Sequence, residues 1–146
     1  MADRGAKHLA FISRSGVENT AAAETVQLLG DQGVSTSVLL ANIVNRDELA
    51  HAVTSIDPTI PIRGVLNAAS VFHDVLFNKM TIETWKEVVD TKVKGSLNLH
   101  EVLKHEPLDF FVMTSSVAST LGSSGQVNYS AGKQTSSLFL TCRPLL

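Results

Sequence analysis

Ser116, Tyr129 and Lys133 are the residues of this sequence whose types and spacing suit proton-transfer chemistry. Tyr129 and Lys133 lie four apart among helix-forming residues, a separation that puts both side chains on one helix face. A lysine ammonium beside a tyrosine hydroxyl favours the phenolate, drawing a phenol of ordinary pKa ~10 toward neutrality and making it a usable general acid or base. Ser116 stands thirteen residues before the tyrosine, in Thr114-Ser115-Ser116, where its hydroxyl could hydrogen-bond a carbonyl oxygen from the other side. A Tyr and a Lys at this spacing occur by chance in many helices. The serine, and the glycines at 122 and 125 between it and the tyrosine, give the pair its meaning.

Positioning these groups takes a strand, a loop and a helix. The apolar run Phe110–Met113 reads as a buried strand, a Ser- and Gly-rich loop follows, and a helix then carries Tyr129 and Lys133 until Pro144 ends it. Upstream, residues 1–4 before Gly5 resemble a last helical turn with its glycine cap. A strand is expected over 7–13. A helix follows over 21–29, with Ala22, Val26 and Leu29 on one face and Gly30 and Gly33 closing it. A second strand covers 34–40. Asn45 with Glu48 forms a capping-box-like start for a helix to about Ile56, stopped by Pro58 and Pro61. After a strand over 62–68, Thr81 caps a long helix reaching about His105, with Trp85, Val88, Val89, Val93 and Leu97 along one stripe. Strands and helices alternate, so the fold class is α/β: a Rossmann-like, doubly wound parallel sheet, whose ligands belong at the strands' C-terminal edges.

Composition narrows the function. The chain has 146 residues, 44% hydrophobic and 18% charged, enough for one globular core, and is read as one domain over 1–146. A net charge of −2 with scattered basic residues offers no footprint for nucleic acid. Cys142 is the one cysteine, so neither an internal disulfide nor a cysteine zinc site is expected, and the five histidines lack metal-ligand spacing. No apolar run is long enough to span a membrane and no secretion signal is visible, so a cytoplasmic protein is expected.

The Ser, Tyr, Lys arrangement resembles that of the short-chain dehydrogenase/reductases. FISRSG, GVLNAASVFHDVLFNKMTIETWKEVVDTKVKGSLNLHEVL and PLDFFVMTSSVASTLGSSGQVNYSAGK narrow the resemblance to the ketoreductase domain of fungal highly reducing polyketide synthases, strongest over 5–133. The resemblance implies NADPH as cofactor. Arg14, flanked by Ser13 and Ser15, follows this chain's first strand, which the resemblance matches to the second strand of the dinucleotide fold, where a guanidinium suits the 2′-phosphate. Asn42 and Ile43 fall where the family contacts adenine, although reductases commonly have Asp at the position of Asn42. Asn67, Ala68 and Ala69 match the small-residue turn beside the nicotinamide ribose. Ser116, Tyr129 and the lysine of the DxKVxG segment, Lys92, match the catalytic set; the family usually has Asn where this chain has Lys133.

Two departures accompany the match. No GxGxxG is present, so relative to the family the first strand with its Gly-rich loop is missing, as are the C-terminal strands. The chain is therefore expected to be a truncated ketoreductase, inactive by itself. Its implied chemistry is NADPH-dependent reduction of a β-ketoacyl thioester, carried on an acyl carrier protein, to the β-hydroxyacyl thioester. The alternative is a non-catalytic remnant or interaction fragment of a polyketide synthase; a sugar epimerase or dehydratase of the same superfamily is disfavoured by the segment around Lys92. The family's stereochemical markers are absent at Phe72-His73-Asp74 and at Leu121.

Overall fold

A computed structural model describes the backbone of residues 1–142 and the side chains of residues 1–135. The chain divides into two compact units, Met1–Ile60 and a second beginning at Pro61.

The first unit opens with a 3-10 turn, Ala2–Arg4, closed by Gly5 at φ 94°, as the glycine in the sequence suggests. Strand β1 (His8–Ser13) and strand β2 (Ser35–Leu40) pair in parallel, in register from His8↔Ser35 to Ser13↔Leu40. Both strands therefore end at one edge, and the loops carrying Arg14 and Asn42 leave side by side. Helix α1 (Thr20–Asp31) joins them, its first turn capped by the Asn19 side chain, which accepts from the Ala21 N–H. Gly30 lies inside α1 rather than ending it. The chain turns instead at Gly33, whose φ of 75° is a left-handed conformation that glycine adopts without steric cost. Helix α2 (Arg46–Thr54) has the expected Asn45 cap, accepting from the Asp47 and Glu48 N–H groups. Glu48 does not complete the box. Its Oε2 accepts from the Asn42 N–H at 2.9 Å and its Oε1 from Asn45 Nδ2 at 2.7 Å, while the Asn45 N–H turns to the Asn42 carbonyl. Val34, Ala41, Ile43, Leu49 and Ala52 form this unit's buried apolar set.

In the second unit, β3 (Gly64–Asn67) and β4 (Phe110–Met113) pair in parallel, from Gly64↔Phe110 to Asn67↔Met113. The Phe110 ring lies over Gly64, its nearest atom 2.1 Å from where a Cβ on residue 64 would stand, so any larger residue there would have to displace that ring. Helix α3 (Ile82–Val102) starts at a reciprocal Thr81–Thr84 capping box. Its buried residues are Val88, Thr91, Lys92, Gly95, Ser96 and Leu99; of the expected stripe only Val88 is fully buried, and Leu97 is 43% exposed. The reason is α5 (Val127–Cys142), which packs on α3 with Gly132 against Lys92 and Val89. A Cβ at 132 would come within 3.3 Å of Lys92 Cβ, and this close approach buries a face that carries a lysine and a serine. A one-turn helix α4 (Ala118–Leu121), not anticipated from sequence, lies between β4 and α5. Pro144, expected to end the last helix, falls outside the described residues. The parallel β–α–β order is present as two two-stranded sheets, one per unit. Among the described residues no helix is long and apolar enough to cross a membrane, and no cluster of His, Cys, Asp or Glu could hold a metal ion.

Candidate active site

The residues singled out from sequence fall into two groups, one in each unit. In the first, Arg14, Leu40, Ala41, Asn42 and Glu48 line an open cavity of about 300 Å³ beyond the C-terminal ends of β1 and β2. Ser13 shapes its rim by accepting the Gly16 N–H on its hydroxyl at 2.8 Å, which folds the chain back just after Arg14. The Ser15 carbonyl accepts the Glu18 N–H, completing the turn. Asn42 Oδ1 accepts from the Val44 N–H at 3.1 Å, and Ile43 is buried beneath. The Glu48 carboxylate has both oxygens occupied by N–H donors, so it braces the Asn42 loop while remaining an acidic wall of the cavity. Its part in the cavity was missed from sequence, where it read only as a helix cap.

The second group gathers where β3, β4, α3 and α5 meet. Asn67, at the end of β3, is buried; its Nδ2 donates to Ser96 Oγ at 3.0 Å and its Oδ1 accepts from the Ala69 N–H, closing the small-residue turn. Ala68 is exposed and Ala69 half-buried. Ser116 Oγ accepts from the Ala118 N–H at 3.2 Å, which starts α4 and leaves the hydroxyl proton available to a carbonyl oxygen. Tyr129 and Lys133 share a face of α5, as their spacing implies: Lys133 Nζ stands 5.3 Å from the centroid of the Tyr129 ring, in cation–π geometry. Phe72 packs on the same ring in a tilted arrangement, with centroids 4.9 Å apart. The segment around Phe72 is fastened to the start of α5 by Asn128 Nδ2 donating to the His73 carbonyl, the Val75 N–H donating to Gly125, and Gln126 donating to Asp74.

Lys92 and Lys133 are both buried, each 2% exposed. Lys133 Nζ donates to the Thr114 carbonyl and hydroxyl. Lys92 Nζ makes no hydrogen bond to a described residue. Burial, followed by the neighbouring Lys133, pushes the Lys92 amine down to about 7. Thr114 and Ser96 were not foreseen as part of this site. Thr114 had a signal, since it opens the Thr-Ser-Ser run at the strand end; Ser96 had none beyond its place on α3.

The KR domain family description matches residues 1–143. The chain belongs to the KR, or ketoreductase, domain family. It is 44% identical over 131 residues to "Reducing polyketide synthase DEP5" of Fusarium langsethiae, covering 90% of this chain and 6% of the relative. To "Highly reducing polyketide synthase" of Pyrenophora dematioidea it is 42% identical over 137 residues, 90% of this chain and 5% of the relative. Among solved structures, "Structure of A-type Ketoreductases from Modular Polyketide Synthase" superposes with a TM-score of 0.84 at 31% identity, over 90% of this chain and 28% of that one. "Crystal structure of a ketoreductase domain from the bacillaene assembly line" gives 0.90 at 27% identity, over 96% and 34%. This KR chain thus corresponds to a small part of large multidomain relatives and to about a third or less of the superposed ketoreductase chains.

Proposed function

We propose that the chain supplies the 2′-phosphate end of the cofactor site and the proton-transfer end of a polyketide ketoreductase, reducing a β-ketoacyl thioester to the β-hydroxyacyl thioester. The observation that carries this reading is the α5 arrangement, in which the Tyr129 ring contacts both Phe72 and the Lys133 ammonium, with Ser116 in the segment before α4. The cavity beside Arg14 suits NADPH, because a guanidinium and an Asx-braced loop face a space large enough for a phosphorylated ribose. When bound, NADPH supplies the hydride for the β-carbon. Tyr129 gives a proton to the oxygen, and Ser116 orients that oxygen by donating its hydroxyl proton. Asn67, Ala68 and Ala69 would line the nicotinamide ribose, their turn held by the Asn67–Ser96 bond. The thioester would arrive on an acyl carrier protein.

Residues 5–133 grafted into a polyketide-synthase ketoreductase test this: reduction of a β-ketoacyl thioester with NADPH is expected. A folded graft that binds NADPH and reduces nothing would refute it. A second reading, a non-catalytic fragment, is favoured by the strand residues Leu40, Leu66, Phe110 and Val112, all exposed in the chain by itself. On either reading the chain alone binds NADPH weakly or not at all and does not turn over; on the second the graft does not turn over either.

A further inference from the structure

Lys133 has an anchor that its spacing from Tyr129 does not foretell. Its Nζ donates to two oxygens of one residue, the Thr114 carbonyl at 2.5 Å and Thr114 Oγ1 at 3.1 Å. The Thr114 hydroxyl points its own proton toward the Asn67 carbonyl at 3.4 Å, and the Thr114 N–H donates to the same carbonyl at 3.1 Å. Thr114 therefore ties the ends of β3 and β4 to α5. On the neighbouring helix, Lys92 lies against Gly132, one residue before Lys133, and its buried Nζ makes no hydrogen bond to a described residue. The ionisable side chains that α5 contributes in its described part are Tyr129 and Lys133; on α3, Asp90 is paired with Lys94. The strands β3 and β4 bring no ionisable group.

We propose that Thr114 is a positioning residue, its carbonyl and hydroxyl holding the Lys133 ammonium over the Tyr129 ring and beside Lys92. The tyrosine's cation is then Lys133, and Lys92 is the lysine that gives way to it. This rests on the reading of Tyr129 as proton donor, but its test needs neither cofactor nor substrate, so the two fail separately.

Isotope-labelled lysine and NMR of the full 146-residue chain follow Lys92 through pH; in the parent its amine is expected to titrate at about 7, pushed down by burial and then by Lys133. Lys133→Met should raise that midpoint by about one pH unit or more, because a like charge leaves. Thr114→Val keeps the shape and loses the hydroxyl, and should raise it by a smaller amount; Thr114→Ser should restore the parental value. A folded Thr114→Val with an unmoved Lys92, or a serine variant that behaves like valine, overturns the proposal. If circular dichroism finds the valine variant unfolded, the decision falls to Lys133→Met and Thr114→Ser. A raised Lys92 midpoint in the first with a parental one in the second sustains the proposal, and any other pair of values overturns it.

Discussion

At the scale of single residues, the chemistry turns on which group holds a proton. Replacing Tyr129 by Phe preserves the ring against Phe72 and removes the proposed proton donor, so in the grafted ketoreductase turnover should fall by ~10²-fold or more while NADPH affinity holds. Unchanged turnover would remove Tyr129 from the reaction. Arg14→Asp puts a carboxylate next to Glu48 in the same cavity and should move cofactor preference from NADPH toward NADH, read as the ratio of the two kcat/KM values. An unaltered ratio would mean that Arg14 serves another purpose. Lys92 makes a prediction about stability. Its amine falls from the usual lysine value to about 7 on folding, so between that value and its unfolded range the unfolded chain holds more protons than the folded one. Stability should accordingly rise with pH across that window, and the burden of the buried charge is fully present below it. Lys92→Met should raise the melting temperature at pH 6 by a few degrees, a gain that shrinks toward pH 10. A gain that is constant with pH would point to packing rather than charge.

At the scale of elements, the sequence was most legible where local chemistry decides. Thr81 and Asn45 cap their helices as read, and Phe110–Met113 is a strand with the expected bounds. What periodicity misjudged was the face of α3. Apolar residues at 85, 88, 89, 93 and 97 make a plausible stripe, and of these Val88 is buried, but the helix packs through it together with Lys92, Ser96 and Leu99 because Gly132 lets α5 approach there. A polar residue counts against burial in any hydrophobic pattern, and the partner that makes its burial tolerable lies on another element. The same limit hid Thr114: its two bonds to Lys133 cross nineteen residues of sequence. Glu48 has a comparable hidden role, and Asn45→Ala tests it. Losing the cap should cost about 1 kcal/mol, and losing the Asn45 Nδ2 bond should also free Glu48 from the Asn42 loop. Amide exchange at Asn42 should then quicken beyond what the drop in global stability explains; exchange that follows global stability alone would confine Asn45 to capping.

At the scale of the whole molecule, the difficulty is sheet size. Each unit contains two described strands, and a two-stranded pair is marginal in water unless a third strand or a helix completes it. Apolar strand residues are open: Leu40 is 69% exposed, Leu66 51%, Val112 45% and Phe110 43%. Leu66 and Val112 are register partners, so their exposure forms a continuous patch across β3 and β4 rather than isolated side chains. Exposed strands of this kind invite pairing with other chains. Against a domain stability of only about 5–15 kcal/mol, leaving several such side chains in water, at ~1.5–3 kcal/mol each, is a large share. The purified chain is therefore expected to bind an apolar dye, to associate with rising concentration in light scattering, and to melt broadly. Addition of polar substitutions at Leu66 and Val112 together should lower both dye binding and association. A chain that stays monomeric, ignores the dye and melts in one sharp transition would show that α3 and α5, with the small cores beneath the sheets, are enough to hold the fold without further strands.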